Sequence, residues 1–210
     1  MKTLLQIQSS LFNGNGQSSA LAGEFVDAWT AAHPESRVIR RDLAADPVPH
    51  LTAERFQAFL AAPAARTPEQ QAIAGYSDAL VEELRAADVI VIGLPMYNFG
   101  VPSTLKAYFD HVARSGITFR YTEKGPQGLL TGKKVYVLAA RGGLYAGTPA
   151  DTQTAYVRDF LRFLGLDDVE FVYAEGLAMG AEPKAQALDA AHTAIRRIAA
   201  QPAATLAKAA

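Results

Sequence analysis

The sequence predicts an α/β fold, a doubly wound parallel sheet of five strands in the order 2-1-3-4-5 with helices on both faces. Three observations predict it. Five short apolar runs alternate with helix-like stretches along the 210 residues, which is the pattern of consecutive βαβ units. The third run contains Val89-Ile90-Val91-Ile92, apolar at every position as a strand covered on both faces must be. Runs one, three and four end in segments rich in Ser/Gly, Pro/aromatic and Gly-Gly. In such a sheet those segments share the carboxyl edge, where ligands bind.

Each element has its own signal. Residues 3–8 form the first strand, and a helix follows with Leu21, Phe25 and Trp29 on one face. Ser18 or Ser19 is the natural cap of that helix. Residues 38–43 give the second strand, and Asp46-Pro47-Val48-Pro49-His50 breaks regular structure. Residues 52–62 read as a helix with Phe56, Phe59 and Leu60 as its apolar positions. Thr67-Pro68-Glu69-Gln70 opens a longer helix, with Thr67 as cap and Pro68 in the first turn. Its apolar stripe is Tyr76, Leu80, Val81 and Leu84. Helical spacing resumes at Ser103 after the third strand. Residues 115–132 are too long for a simple connector, and their aromatics predict a flap over a site or a subunit contact. Residues 134–139 form the fourth strand, 151–164 a helix, 169–173 the fifth strand and 184–199 the closing helix. Residues 1–200 make one domain on this reading, and the Ala-rich residues 201–210 fray.

The three edge loops carry the chemistry. The Ser9–Ser19 stretch delivers hydroxyls and free backbone N–H groups to a helix start, which attracts an anion. Gly14-Asn15-Gly16-Gln17-Ser18-Ser19 falls short of the dinucleotide fingerprint, because Ser19 stands where the third small residue belongs, although Asp42 could imitate the ribose-binding acid. No Gly-Lys-Ser/Thr follows, so this is not a P-loop. Hydroxyls without a lysine suit a terminal monophosphate. Pro95-Met96-Tyr97-Asn98-Phe99-Gly100-Val101-Pro102 is stiff, flat and apolar, suited to a planar heteroaromatic ring such as a flavin. Ala140-Arg141-Gly142-Gly143 lets backbone amides approach a ligand closely. Taken singly, each loop is equally an ordinary turn. Together they match the phosphate, ring face and pyrimidine edge of FMN.

Composition excludes other classes. The net charge is −1 without a basic stripe, which argues against nucleic acid. The chain has no cysteine, which removes disulfides and thiolate chemistry and fits a reducing cytoplasm. No apolar run reaches membrane-spanning length, and Met1-Lys2-Thr3 leads straight into the first strand with no signal peptide before it. His33, His50, His111 and His192 lack ligand spacing, so no metal is expected. Arg40-Arg41, Lys133-Lys134 and Arg196-Arg197 read as solvated faces.

The Met96-Tyr97-Asn98-Phe99 string, the following Gly-Val-Pro-Ser-Thr-Leu-Lys, and Phe119-Arg120-Tyr121-Thr122-Glu123 resemble a known family. It is the FMN-dependent NADH:azo compound and NADH:quinone oxidoreductases, the bacterial azoreductases of flavodoxin-like fold. The resemblance spans nearly the whole chain and includes Ser9-Ser10, Arg141-Gly142-Gly143 and Ala174-Glu175-Gly176. It implies a homodimer with one FMN per subunit near the interface. NADH or NADPH would reduce the flavin and leave, and a quinone or azo compound would then take its place. By position, Ser10, Gly16, Gln17 and Ser18 would hold the phosphate. Met96, Tyr97, Asn98 and Phe99 would line the ring, and Ala140, Arg141, Gly142 and Gly143 would meet its pyrimidine end. Phe119, Tyr121 and Phe163 would border the substrate; separately, its place in the 115–132 segment makes Tyr121 a candidate proton donor. Relatives often carry a hydroxyl where Ala140 stands, and some carry serine where Gly16 stands. A flavodoxin-type electron carrier and a non-enzymatic doubly wound domain are the competing readings. The small net charge and the 119–121 flap argue against the carrier.

Overall fold

The computed structural model describes residues 1–200, so the expected fraying of 201–210 lies outside the described residues. Five parallel strands form the main sheet: β1 (Thr3–Gln8), β2 (Arg37–Asp42), β3 (Val89–Pro95), β6 (Lys134–Ala140) and β7 (Asp168–Ala174). Their spatial order is β2-β1-β3-β6-β7, the 2-1-3-4-5 arrangement expected from the sequence. Pro95 pairs with Ala140, and Ala140 with Ala174, so three strands finish level at the carboxyl edge.

Strand alternation divides the core in two. On one face, Ile90, Ile92, Val135 and Val137 pack beneath α3 (Pro68–Ala86), α4 (Ser103–Val112) and α5 (Thr152–Phe163). On the other, Val89, Val91, Tyr136 and Leu138 pack beneath α1 (Gln17–Ala32) and α6 (Ala181–Ala199). Leu21, Phe25 and Trp29 of α1 are fully buried, as their spacing predicts. The short α2 (Ala53–Leu60) departs from expectation. Of its buried positions only Ala58 qualifies, while Phe56 and Leu60 are exposed. Phe59, as expected, turns inward: its ring stands edge-on to His111 with centroids 5.6 Å apart, and the Arg114 guanidinium lies 4.4 Å over it.

Thr67 begins α3 with a complete capping box: its hydroxyl accepts from Gln70 N at 3.2 Å, and Gln70 Oε1 accepts from Thr67 N at 3.1 Å. Thr67→Ala is expected to lower stability by about 1 kcal/mol. Urea unfolding would measure it, and an unchanged midpoint would show that the Pro68 start suffices.

Arg40, Arg196 and Arg197 are exposed as expected, whereas Arg41, Lys133 and Lys134 are more than solvated faces. Arg41 joins Glu83 at 2.5 Å and Asp46 at 2.8 Å, and Lys134 joins Asp168 at 2.6 Å. Lys133 Nζ donates to the carbonyls of Arg85 and Ala87 at the end of α3, at 2.8 and 2.6 Å.

Residues 115–132 fold into an antiparallel hairpin, β4 (Phe119–Thr122) with β5 (Gly125–Gly128). The chain reaches it after α4 has run back from the carboxyl edge, so the hairpin stands at the amino edge of the sheet. Leu130 N donates to Leu164 O at 2.8 Å, fastening it to the end of α5.

Candidate functional site

The loop after β1 is built around hydroxyls. Ser9 Oγ donates to Gly93 O at 2.8 Å, which ties the loop to β3. A short 3₁₀ turn, Asn13–Asn15, then leads into α1. Gly16 is the N-cap of α1, with extended φ and ψ of −72° and 144°. Ser18 and Ser19 therefore lie inside the first turn and do not cap it, contrary to the sequence expectation. Their hydroxyls are buried and have no hydrogen-bond partner. The amides of Gln17, Ser18 and Ser19 likewise donate to no protein acceptor, as expected of a first helical turn. A Cβ on Gly16 would lie 2.0 Å from Ser10 Oγ, so glycine here leaves the Ser10 hydroxyl its place. Together these groups form a donor-rich, lysine-free cradle fitted to a phosphate monoester. Asp42 is not part of it: its carboxylate accepts from Ala44 and Ala45 N and makes a turn.

The loop after β3 is strained and firmly held. Tyr97 and Gly100 exchange backbone hydrogen bonds of 3.2 and 3.0 Å around Asn98 and Phe99. Both intervening residues have positive φ, 50° and 64°. A left-handed phenylalanine is rare, and such strain concentrates at functional sites. It leaves the Asn98 and Phe99 amides without protein acceptors. Tyr97 Oη lies 3.3 Å from Ser10 Oγ and accepts from Leu11 N at 3.1 Å, so the first two loops are clasped together.

Sequence reasoning missed what supports this turn. Buried Gln153, in the first turn of α5, donates from Nε2 to Pro95 O at 2.9 Å and Gly100 O at 2.8 Å. Thr152 Oγ1 donates to Phe99 O. A signal existed: Gln153 is in step with Val157 and Leu161, a polar residue on a buried stripe. Gln153→Leu takes this donor from Pro95 O and leaves Gly100 O only that of Tyr97 N, and is expected to lower stability by about 2 kcal/mol. Chemical denaturation would measure the loss, and a wild-type midpoint would show that the loop stands unaided.

In the third loop, the carbonyls of Arg141, Gly142 and Gly143 accept from Leu177, Ala178 and Gly176 N, respectively, at 3.0–3.2 Å. Their orientation leaves the Gly142 and Gly143 amides without protein acceptors. The Arg141 side chain turns inward and is fully buried, in ion pairs of 3.0 Å with both Asp151 and Glu175. Asp151 is desolvated, but hydrogen bonds from Thr154 and the Arg141 charge outweigh that and hold its carboxyl below the usual value. Tyr145, also missed from sequence, sets its ring edge-on to Phe99 with centroids 5.8 Å apart. That pair spans the second and third loops. Ala140 is buried, at 7 % exposure, and offers only backbone.

Ser10, Gly16, Gln17, Ser18, Met96, Tyr97, Asn98, Phe99, Ala140, Arg141, Gly142 and Gly143 thus share the carboxyl edge. Phe119, Tyr121 and Phe163 do not. Phe119 packs on Phe163 with centroids 4.2 Å apart, at the far end of the 12-residue α5. At ~1.5 Å of rise per residue, that end stands nearly a sheet's height from Thr152. Tyr121 points outward and is 73 % exposed. Within one chain the 115–132 segment is therefore not a flap over the three loops.

A family model described as flavodoxin-like fold matches residues 1–199. The chain belongs to this family. Among flavodoxin-like relatives, the FMN-dependent NADH:quinone oxidoreductase of Cellvibrio japonicus is 60 % identical over 185 residues, covering 88 % of this chain and 93 % of that one. The protein of the same name from Alcanivorax borkumensis is 59 % identical over 190 residues, covering 90 % and 96 %. Of solved flavodoxin-like structures, an azoreductase from Bacillus anthracis superposes with a TM-score of 0.87 at 27 % identity, covering 95 % of this chain and 99 % of that one. An FMN-dependent NADH-azoreductase from B. anthracis in complex with FMN gives 0.86 at 25 % identity, covering 99 % and 100 %.

Proposed function

We propose that this flavodoxin-like chain is an FMN-dependent oxidoreductase that uses NADH or NADPH to reduce quinones and aromatic azo compounds. The observation that carries the reading is the convergence of three loops whose unpartnered donors match one flat phosphorylated ring system. The names of its 60 % identical relatives point to the same chemistry. FMN, when bound, would supply the two-electron step, accepting hydride from the nicotinamide and passing it on.

The chain's own residues would bind and orient. Ser10, Ser18 and the amides of Gln17 and Ser18 hold the phosphate, with Gly16 leaving the Ser10 hydroxyl its place and the buried Ser19 hydroxyl beside them. Met96, Tyr97, Asn98 and Phe99 form the ring's platform, and Gly142 and Gly143 amides stabilise negative charge at its pyrimidine edge. Ala140 and Arg141 lie there as backbone that fixes the turn, Arg141 through its bonds with Ala174 and Leu177. The Phe99–Tyr145 pair narrows the mouth and limits water.

Phe119, Tyr121 and Phe163 reach such a site only from a second copy of the chain. We therefore assign this protein to a homodimer in which each hairpin completes the partner's substrate space. Tyr121 is then the candidate proton donor to the acceptor, and Tyr121→Phe should change the pH profile of acceptor turnover while leaving FMN affinity alone. No described helix is long and apolar enough to cross a membrane. The reading places the work in the cytoplasm, on diffusible acceptors.

The test is direct. Purified protein should absorb in the flavin visible band and oxidise NADH with a soluble quinone and no partner protein. A colourless protein that fails to quench FMN fluorescence would overturn the reading, and bound flavin without turnover would mark an electron carrier. Paired assays with NADH and NADPH, then with quinone and azo acceptors, set the substrate preference.

A further inference from the structure

Behind the Gly142–Gly143 turn lies a buried charge cluster that the binding of FMN alone does not require. Glu175 Oε1 accepts from Arg141 Nη1, Tyr145 N and Ala146 N, each at 3.0 Å. Asp151 takes the other side of the guanidinium through Nη2 at 3.0 Å. Thr154 Oγ1 and Tyr173 Oη, 3.0 Å apart, close the cluster with neutral groups. The side chains of Arg141, Asp151 and Glu175 are 0 %, 7 % and 13 % exposed. One guanidinium faces two carboxylates, so the cluster carries one net negative charge in a poorly solvated place. It is joined covalently to the two amides that face the ligand edge, because Gly142, Gly143 and Leu144 are strung between Arg141 and Tyr145.

We infer that this cluster sets the reduction potential of the flavin, with Glu175 and Asp151 as positioning residues that act through charge. The inference rests on the proposed FMN site. The glycine amides favour the negative charge of reduced flavin. The carboxylates behind them oppose it, and low solvation makes that opposition effective. The arrangement holds the flavin in place while keeping its electrons easy to pass on.

Glu175→Gln and Asp151→Asn each remove one charge and keep the shape. The midpoint potential of the FMN-loaded protein is measured by equilibration with reference dyes, and oxidised FMN affinity by fluorescence quenching. Each variant should favour reduced over oxidised FMN by about tenfold more than wild type, an upward shift of about 30 mV for a two-electron couple. Glu170→Gln, on β7 beside Lys134 and Arg197, should leave the potential in place. A merely structural cluster gives the opposite sign, since a loosened turn misplaces its amides and lowers the potential. An unchanged or lowered potential in both variants, with FMN bound, overturns the inference and leaves the functional reading standing. Failure of wild-type protein to bind FMN sinks both.

Discussion

Gly128→Val should leave the main sheet folded and abolish most acceptor turnover. A Cβ at Gly128 would lie 1.9 Å from Gly165 N and 2.3 Å from Leu164 C. Those are backbone atoms and cannot rotate aside. Gly165 itself has φ of +92°, so its turn cannot readily give way. The hairpin must lift from α5, drawing Phe119 off Phe163. Overpacking of this kind typically costs ~1–3 kcal/mol, and the main sheet does not depend on the hairpin's own pairing. Misplacing a substrate-facing group by about 1 Å can lower turnover about 100-fold. We therefore expect FMN affinity within about threefold of wild type and a fall of at least about 100-fold in kcat/KM for a quinone. Normal turnover would show that the hairpin takes no part in the substrate space. Loss of FMN binding would show that it supports the cofactor loops.

This hairpin also marks where the sequence stops being legible. The central strands are readable because strands covered on both faces must be apolar throughout, as Val89–Pro95 is buried at all positions, whereas the half-exposed edge strand Arg37–Asp42 carries a weaker signal. The α3 start is readable because capping is local: Thr67, Pro68 and Gln70 lie in one turn. β5 reads Gly-Pro-Gln-Gly. Nothing in that composition favours a strand, and it pairs because contact with Gly165 and Leu164 selects glycine at Gly128. Such a contact joins residues far apart in the chain and leaves no periodic trace. The Ser18 and Ser19 positions show a subtler gap. Serines before an apolar stripe read as caps, but the 3₁₀ turn moves the helix start back to Gly16, and the hydroxyls become buried donors inside the first turn.

The convergence of the three loops was legible, since loops at one sheet edge follow from topology. Its scaffolding was not. Arg141 beside two glycines reads as a ligand contact, yet its guanidinium is 0 % exposed and belongs to the interior. Asp151 and Glu175, which hold it, lie 10 and 34 residues away. Gln153 was detectable in principle by its place on an apolar stripe, but its partners, the carbonyls of the left-handed turn, were not. The general lesson is physical. Donors that face a ligand cluster in sequence, whereas the groups that aim them are recruited across the fold.

Arg141→Met should lower stability by about 3–5 kcal/mol at pH 7. Methionine keeps much of the volume but leaves Asp151 and Glu175 as two desolvated carboxylates with no cation between them. Burial and the neighbouring Glu175 charge should then raise the Asp151 carboxyl in the variant. The pH dependence then has a definite sign. In the wild type, the lowered pKa of Asp151 contributes stability that is present above the usual aspartate range and is lost as pH falls through the lower folded value. In the variant the Asp151 carboxyl is expected to titrate above its unfolded value, so the penalty is full at neutral pH and is relieved as pH falls through the raised value. The gap in unfolding free energy between the two proteins should narrow steadily between pH 7 and pH 5. Urea titrations across that range measure it. A gap independent of pH would mean that Arg141 stabilises by packing on Tyr173, 5.1 Å from its ring centroid, and that the carboxylates find compensation elsewhere.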